Sequence, residues 1–217
     1  MIICPNCGSL THDDIHIYNK ALRKQTFSLT PIVPTCKHCG ADVKVSHICE
    51  GGNIIILNGT CGSGKSTVAE MLVKEGYMAI DGDCAAEADM YKSRNPFWNF
   101  ASLAIEIACE IDILSLFTDK IVLSTVIVPG DMERYVQVLA SRNMNYQFFH
   151  LRPDYQTAVD RCATRTCHET ITEEYWIKRY YEMLVGFDDS VIVVDNTNMS
   201  PDETAAYVLG KFNYIKK

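Results

Sequence analysis

The sequence predicts an α/β fold in which a five-stranded parallel sheet is covered by helices on both faces, preceded by a small cysteine-rich segment. Three observations predict it. Five short, mostly apolar runs alternate with helical patterns, as strands buried on both faces of a parallel sheet do. The first run passes straight into a glycine-rich loop and then into a helix. Two Cys-x-x-Cys pairs precede that first run. The chain divides accordingly into residues 1–52 and residues 53–217.

The 217 residues suffice for one full α/β domain with a small appendage. Hydrophobic residues make up 47% and charged residues 22%, an ordinary soluble globular composition. The net charge of −7 argues against nucleic acid as the main partner, because phosphate backbones are held by clustered Lys and Arg. No apolar run reaches the roughly 18 residues of a membrane span. The opening MIICPNCG lacks the basic and apolar regions of a secretory signal, so a cytoplasmic protein is expected. Ten cysteines in such a compartment point to metal rather than disulfides.

The first segment carries Cys4-Pro5-Asn6-Cys7 and Cys36-Lys37-His38-Cys39, each followed by a glycine that tolerates positive φ. Two residues between the thiols let each pair grip one metal through a tight turn. The gap from Cys7 to Cys36 exceeds the common zinc spacing of about 15–20 residues but suits a zinc ribbon. Four thiolates close a tetrahedral shell, so Cys4, Cys7, Cys36 and Cys39 are expected to hold a structural Zn²⁺. A segment this short needs that metal to make up for its small core. His38, His47 and Cys49 read as bystanders, and Gly51-Gly52 as the linker.

Ile54 to Leu57 is the first buried run. Gly59-Thr60-Cys61-Gly62-Ser63-Gly64-Lys65-Ser66 follows, matching G-x-x-x-x-G-K-[ST], and Thr67 leads into a helical pattern at Val68, Ala69, Leu72 and Val73. Strand, glycine loop and helix stand in the order a phosphate-binding loop requires. Glycines let backbone N–H groups approach phosphate oxygens, and the helix adds its unsatisfied N–H groups and positive dipole end. Lys65 is placed to reach the β- and γ-phosphates, with the Ser66 hydroxyl on Mg²⁺.

Gly76 caps that helix, and Tyr77 to Ile80 forms the second strand, ending in Asp81-Gly82-Asp83. Cys84 to Thr118 reads as helical, divided at Pro96. Lys120 to Ser124 is the third strand, with apolar residues continuing to Val128. Pro129-Gly130-Asp131 starts a helix reaching about Arg142. Tyr146 to Leu151 is the fourth strand, and a helix from near Asp154 carries Arg161 and Arg165. Thr170-Ile171-Thr172-Glu173 is a capping box for a helix through about Val185. Val191 to Asp195 is the fifth strand, and Ser200-Pro201-Asp202-Glu203 opens the last helix with cap, proline and capping glutamate. Ligands of such sheets sit at the carboxyl ends of the strands, where Asn58, Asp81, Asp83, Ser124, Arg152 and Asp195 fall.

Asp81 and Asp83 can face one cavity, one positioning Mg²⁺ and one taking a proton from a substrate hydroxyl. Arg161 and Arg165, four apart, share a helical face and suit a cationic clamp on a triphosphate. Arg94, Arg134, Arg142 and Arg152 are further candidates for a substrate or phosphate.

GTCGSGKST at 59–67, IDGD at 80–83, the strand ending in Ser124 with Arg134 beyond, HLRPDYQTAVDRCATR at 150–165 and VVDNTNMS at 193–200 together resemble the small P-loop kinases. That group holds gluconate kinase, adenylylsulfate kinase, shikimate kinase and chloramphenicol phosphotransferase. The resemblance covers about three quarters of the chain. It implies a three-layer P-loop NTPase fold with sheet order 2-3-1-4-5, ATP and Mg²⁺ as cofactors, and a lid containing Arg161 and Arg165. It also implies an adenine pocket near Asn196, Asn198 and Met199, with Asp83 as catalytic carboxylate and Asp81 contacting magnesium or substrate. Two features depart from the group: Ser124 and Thr125, not a carboxylate, end the third strand, and the zinc ribbon is additional.

The expected activity is transfer of the γ-phosphate of ATP to a hydroxyl of a small-molecule acceptor. Two alternatives are a nucleic-acid end kinase whose ribbon holds the strand, and a nucleotide-regulated protein-binding module without transfer. The first alternative wants a basic track. Residues 1–50 carry only Lys20, Arg23, Lys24, Lys37 and Lys44 against Asp13, Asp14, Asp42 and Glu50.

Overall fold

The computed structural model describes residues 51–82, 107–108, 111, 114–115, 118–163 and 173–215. Cys4, Cys7, Cys36, Cys39, His38, His47, Cys49, Asp83, Arg94 and Arg165 lie outside the described residues. The elements run β1 (Asn53–Asn58), α1 (Lys65–Lys74), β2 (Met78–Asp81), β3 (Lys120–Ser124), a 3-10 turn (Pro129–Asp131), α2 (Met132–Ala140) and β4 (Asn145–Leu151). They continue with α3 (Tyr155–Ala163), α4 (Glu173–Met183), β5 (Val191–Val194) and α5 (Pro201–Ile215).

The strands lie in the order β2-β3-β1-β4-β5, and every pairing is parallel. Successive strand residues point to opposite faces, so each apolar strand feeds two cores. Ile54, Ile56, Ile80, Ile121, Leu123 and Phe148 pack with Ile107, Ile111, Leu114, Tyr135 and Leu139 on one face. Ile55, Leu57, Val122, Phe149, Leu151 and Val194 pack with Val68 and Leu72 of α1 and Val208 and Phe212 of α5 on the other. Each fully buried Ile, Leu or Phe contributes on the order of 1.5–3 kcal/mol of transfer free energy, so these two layers hold the sheet rigid.

Local chemistry sets the element ends. Gly76 takes φ +87, and the Gly76 and Tyr77 N–H groups donate to Val73 and Leu72 carbonyls, closing α1. Tyr77 is used in that turn, which moves the start of β2 one residue beyond the sequence expectation. α2 begins as a tighter 3-10 turn and stops at Ala140, short of Arg142, because Asn143 adopts the left-handed region at φ 52. The apolar run to Val128 leaves the sheet after Ser124. The Asn58 carboxamide captures Ile127 there, accepting from its N–H at 2.9 Å and donating to its carbonyl at 2.8 Å. The Ser200–Glu203 capping box forms as the sequence predicts: the Ser200 N–H donates to Glu203 Oε2 at 2.8 Å and the Glu203 N–H to Ser200 Oγ at 3.2 Å. Among the described residues no helix is long and apolar enough to cross a membrane.

Candidate active site

β1 delivers the chain to the carboxyl edge of the sheet at Asn58, which pairs in register with His150 of β4. Asn58 Oδ1 also accepts the Gly59 N–H at 2.8 Å, so one buried carboxamide fastens the start of the glycine loop to the segment after β3. The loop then turns on glycines that no other residue could replace. Gly62 has φ +75, and a Cβ there would lie 2.1 Å from the Ala158 carbonyl oxygen of α3; Gly59 has φ +150, and a Cβ would lie 2.5 Å from the Leu151 oxygen. Gly64, at φ 92, enters α1 without a capping side chain, and α1 has no acidic residue in its first turn. Its first N–H groups are thus left for an anion.

Lys65 is the first residue of α1 and is buried. Its ammonium donates to the Gly59 oxygen at 2.7 Å and the Thr60 oxygen at 3.0 Å, which pins the cation inside the curl of the loop. Ser66, half-buried, is next on the helix, and Thr67 is exposed. Cys61 packs against Ala158, Cys162 and Ile177, and the Thr60 hydroxyl reaches the Ile177 oxygen of α4 at 3.4 Å. The loop is thereby braced by α3 and α4.

A cavity of ≈ 320 Å³ opens beside the loop, lined by Gly62, Gly64, Thr67, Val68, Arg161, Asn196, Met199, Pro201 and Thr204. Asn196, buried just after β5, organises it. Its Nδ2 donates to the Ser63 oxygen at 2.9 Å, and its own carbonyl accepts from Arg161 at 2.9 Å. Asn196 and Met199 line the cavity, whereas Asn198 is exposed and is not part of the lining. Asp195 holds the turn by accepting the Thr197 N–H at 3.0 Å and the Thr197 hydroxyl at 2.6 Å, which lowers its pKa.

On the other side of the loop, Asp81 ends β2 in register with Ser124 of β3. A Cβ on Gly82 would lie 2.3 Å from Thr125 Oγ1 and 2.6 Å from Thr125 Cβ, so glycine is required by close packing. Asp83 lies outside the described residues. The remaining arginines divide by surroundings. Arg134 is largely exposed and pairs with Asp131 at 3.3 Å. Arg142 donates to the Val138 carbonyl at 3.0 Å near the end of α2, a capping arrangement. Arg152 lies over the Tyr181 ring, 4.8 Å from its centroid.

Sequence reasoning did not single out His150 for the site. His150 is 2% exposed near the end of β4, its ring 5.1 Å from that of Phe187, and its Nδ1 has no hydrogen-bond partner among the described residues. Burial, with Arg152 and Lys65 nearby, lowers its pKa from 6.5 to about 4, so the ring is neutral. A His at a strand end beside a glycine loop is the one sequence signal that pointed there. Among the described residues no group of three or more His, Cys, Asp or Glu could hold a metal.

Residues 55–180 match the family described as AAA domain. A search of curated protein sequences finds no match. Solved structures share the fold. A gluconokinase from Sinorhizobium meliloti 1021 is 19% identical over 78% of this chain and 95% of its own, with TM-score 0.55. A sugar kinase from Janibacter sp. HTCC2649 is 19% identical over 75% of this chain and 95% of its own, with TM-score 0.53. The Deinococcus radiodurans tunicamycin resistance protein is 13% identical over 74% of this chain and 96% of its own, with TM-score 0.57.

Proposed function

The chain belongs to the AAA domain family, and from that membership we propose that it is a P-loop phosphotransferase, moving the γ-phosphate of ATP to a hydroxyl of a small molecule. The observation that carries this reading is the meeting of three parts at one sheet edge. An uncapped helix N-terminus holds a buried lysine, a cavity opens beside it, and a strand ends in Asp81 across from it.

The residues fit a triphosphate. The N–H groups of the loop and of α1 bind its oxygens, and Lys65 exchanges its two loop carbonyls for the β- and γ-phosphates. Thr60, Cys61, Ser63 and Thr67 contribute backbone or hydroxyl contacts. Ser66 holds Mg²⁺, which when bound offsets the charge on the phosphates. Arg161, Asn196 and Met199 frame the adenine, and Arg165 joins Arg161 in closing over the nucleotide. Asp83 takes the proton of the acceptor hydroxyl, and Asp81 orients magnesium or substrate. Transfer through a loose transition state needs alignment and charge stabilisation more than covalent help, which is what this arrangement offers. The fold shared with a gluconokinase and a sugar kinase supports a small acceptor. Cys4, Cys7, Cys36 and Cys39 hold one structural Zn²⁺.

The test is ATP consumption against a panel of sugars, nucleosides, amino-acid derivatives and antibiotics. Acceptor-dependent ADP release is expected. Lys65→Ala should abolish productive MgATP binding with the fold intact. Asp83→Asn should lower transfer by roughly 10²–10⁴-fold with MgATP binding retained. Release of ADP at the same rate without any acceptor would overturn the reading.

A further inference from the structure

Arg152 is held in place at the sheet edge, yet among the described residues no anion faces it. It follows β4 directly, and its backbone N–H donates to the Val194 oxygen at 2.9 Å. Its guanidinium lies half-buried over the Tyr181 ring of α4, 4.8 Å from the centroid. Tyr181 is itself fixed, donating to the Pro153 oxygen at 2.8 Å and meeting the Tyr155 ring edge-on. No carboxylate among the described residues pairs with the guanidinium. Asp154, the nearest in sequence, accepts the Thr157 N–H and the Thr157 hydroxyl through its two oxygens instead.

The groups around it are cationic or neutral. Arg152 shares a small pocket with Thr60 of the glycine loop, His150, Leu151, Tyr181 and Leu184. Its charge and that of Lys65 both act on His150, which is buried and uncharged. Two cations therefore stand around one neutral ring where β1 and β4 end side by side. Lost hydration and mutual repulsion make that arrangement unfavourable until anions arrive. A triphosphate brings them to Lys65. Arg152 is left over, because its pocket shares no residue with the cavity assigned to the adenine. A guanidinium stacked on an aromatic face, with its fork of N–H groups turned to no protein acceptor, matches a carboxylate or phosphate through two parallel hydrogen bonds.

We propose that Arg152 binds an oxyanion of the acceptor itself, so that the molecule phosphorylated by this chain is a hydroxyl compound already carrying a carboxylate or a phosphate. This rests on the kinase reading above and narrows it. The guanidinium anchors one end of the acceptor on the β4 side of the glycine loop, and a hydroxyl elsewhere on the molecule is presented to the γ-phosphate at Lys65. Anchoring through a group that does not react fixes the approach of the one that does. In a chain of net charge −7, a local cation is also what lets an anionic acceptor approach.

The experiment extends the acceptor panel with matched pairs that differ in one anionic group: D-gluconate and D-gluconamide, glucose 6-phosphate and glucose, N-acetylserine and its amide. Acceptor-dependent ADP release from MgATP is measured for the full chain and for Arg152→Met and Arg152→Lys. The best acceptor should be an anionic one, with kcat/KM about 10-fold or more above that of its uncharged partner. Arg152→Met keeps an apolar stem over Tyr181. It should raise the KM for that acceptor about 10- to 100-fold, bring the two members of the pair level, and leave the KM for ATP within about threefold. Arg152→Lys keeps the charge and should retain part of the preference. Damage to the fold lowers both members of a pair alike, so the ratio between them isolates the charge. An uncharged best acceptor, or a preference that survives Arg152→Met, overturns the proposal and leaves the kinase reading intact. A rise in the KM for ATP in place of the acceptor shows that the guanidinium serves the nucleotide, and overturns it as well. ADP release that no acceptor increases overturns the kinase reading and this one with it.

Discussion

Burial keeps the His150 imidazole uncharged, because a cation taken out of water loses its hydration. The Arg152 guanidinium and the Lys65 ammonium nearby add Coulomb repulsion, and the histidine pKa falls from 6.5 to about 4. The sign of the linkage follows. Between these two values the unfolded chain binds a proton that the folded chain refuses, so stability is complete above pH 6.5 and declines as pH falls toward 4. The largest contribution from this single group is about 3 kcal/mol. In His150→Phe, which keeps a ring against Phe187, the loss of unfolding free energy between pH 6.5 and 4 should shrink by that order. Denaturant titrations across that range would measure it, and an unaltered slope would show that other groups carry the acid sensitivity. Residues of this kind were hard to read from sequence. Lys65 sits in a motif whose spacing announces its chemistry. Thr125 owes its interest to the Gly82 backbone packed against it, a contact that leaves no local pattern.

At the scale of elements the sequence was legible wherever a helix or strand end is decided by neighbouring residues. Ser200 and Glu203 close a capping box on each other, and Asp154 accepts the Thr157 N–H at 2.7 Å and its hydroxyl at 2.9 Å at the start of α3. Both starts rest on contacts three residues apart. β3 ends at Ser124, where the sequence reading places it, and a distant side chain decides the path of the apolar run beyond: Asn58, from another strand, draws Ile127 out of line. The strand order belonged to the same non-local class and came from resemblance to the small P-loop kinases rather than from the residues' spacing. α5 gives a direct test. It packs Val208 and Phe212 on the face that also holds α1, so loosening its start reaches the layer behind the glycine loop. Ser200→Ala removes the side-chain acceptor for the Glu203 N–H and should cost about 1 kcal/mol. For a domain of this size that is a fall of about 2–4 °C in melting temperature. A drop within the scatter of repeat melts would mean that the proline at the first helical position already fixes the start.

For the molecule as a whole, the question is whether the cysteine segment and the sheet depend on each other. Both apolar layers are built from residues between Ile54 and Phe212, and the glycine loop is braced by Asn58, Asn196, Ala158 and Ile177. Among the described residues, the contacts that brace the glycine loop come from the second part of the chain. The first part has the opposite character: it is short, rich in polar and β-branched residues, and its four paired thiols offer a metal more than a core. Thiolate ligation contributes folding free energy outright to such a segment, and that contribution vanishes with the metal. The expected outcome is a separation of the two properties. Elemental analysis should find about one zinc per chain. Cys36→Ser should abolish zinc retention while leaving the affinity for MgATP within about threefold, since RT sets that at well under 1 kcal/mol. Stripping zinc with a chelator, followed by restoring Mg²⁺, should give the same result in the unmodified protein. Protein purified with no zinc would sink the ligand assignment. Loss of nucleotide binding together with zinc would show instead that the ribbon supports the sheet, and the two parts would then have to be treated as one folding unit.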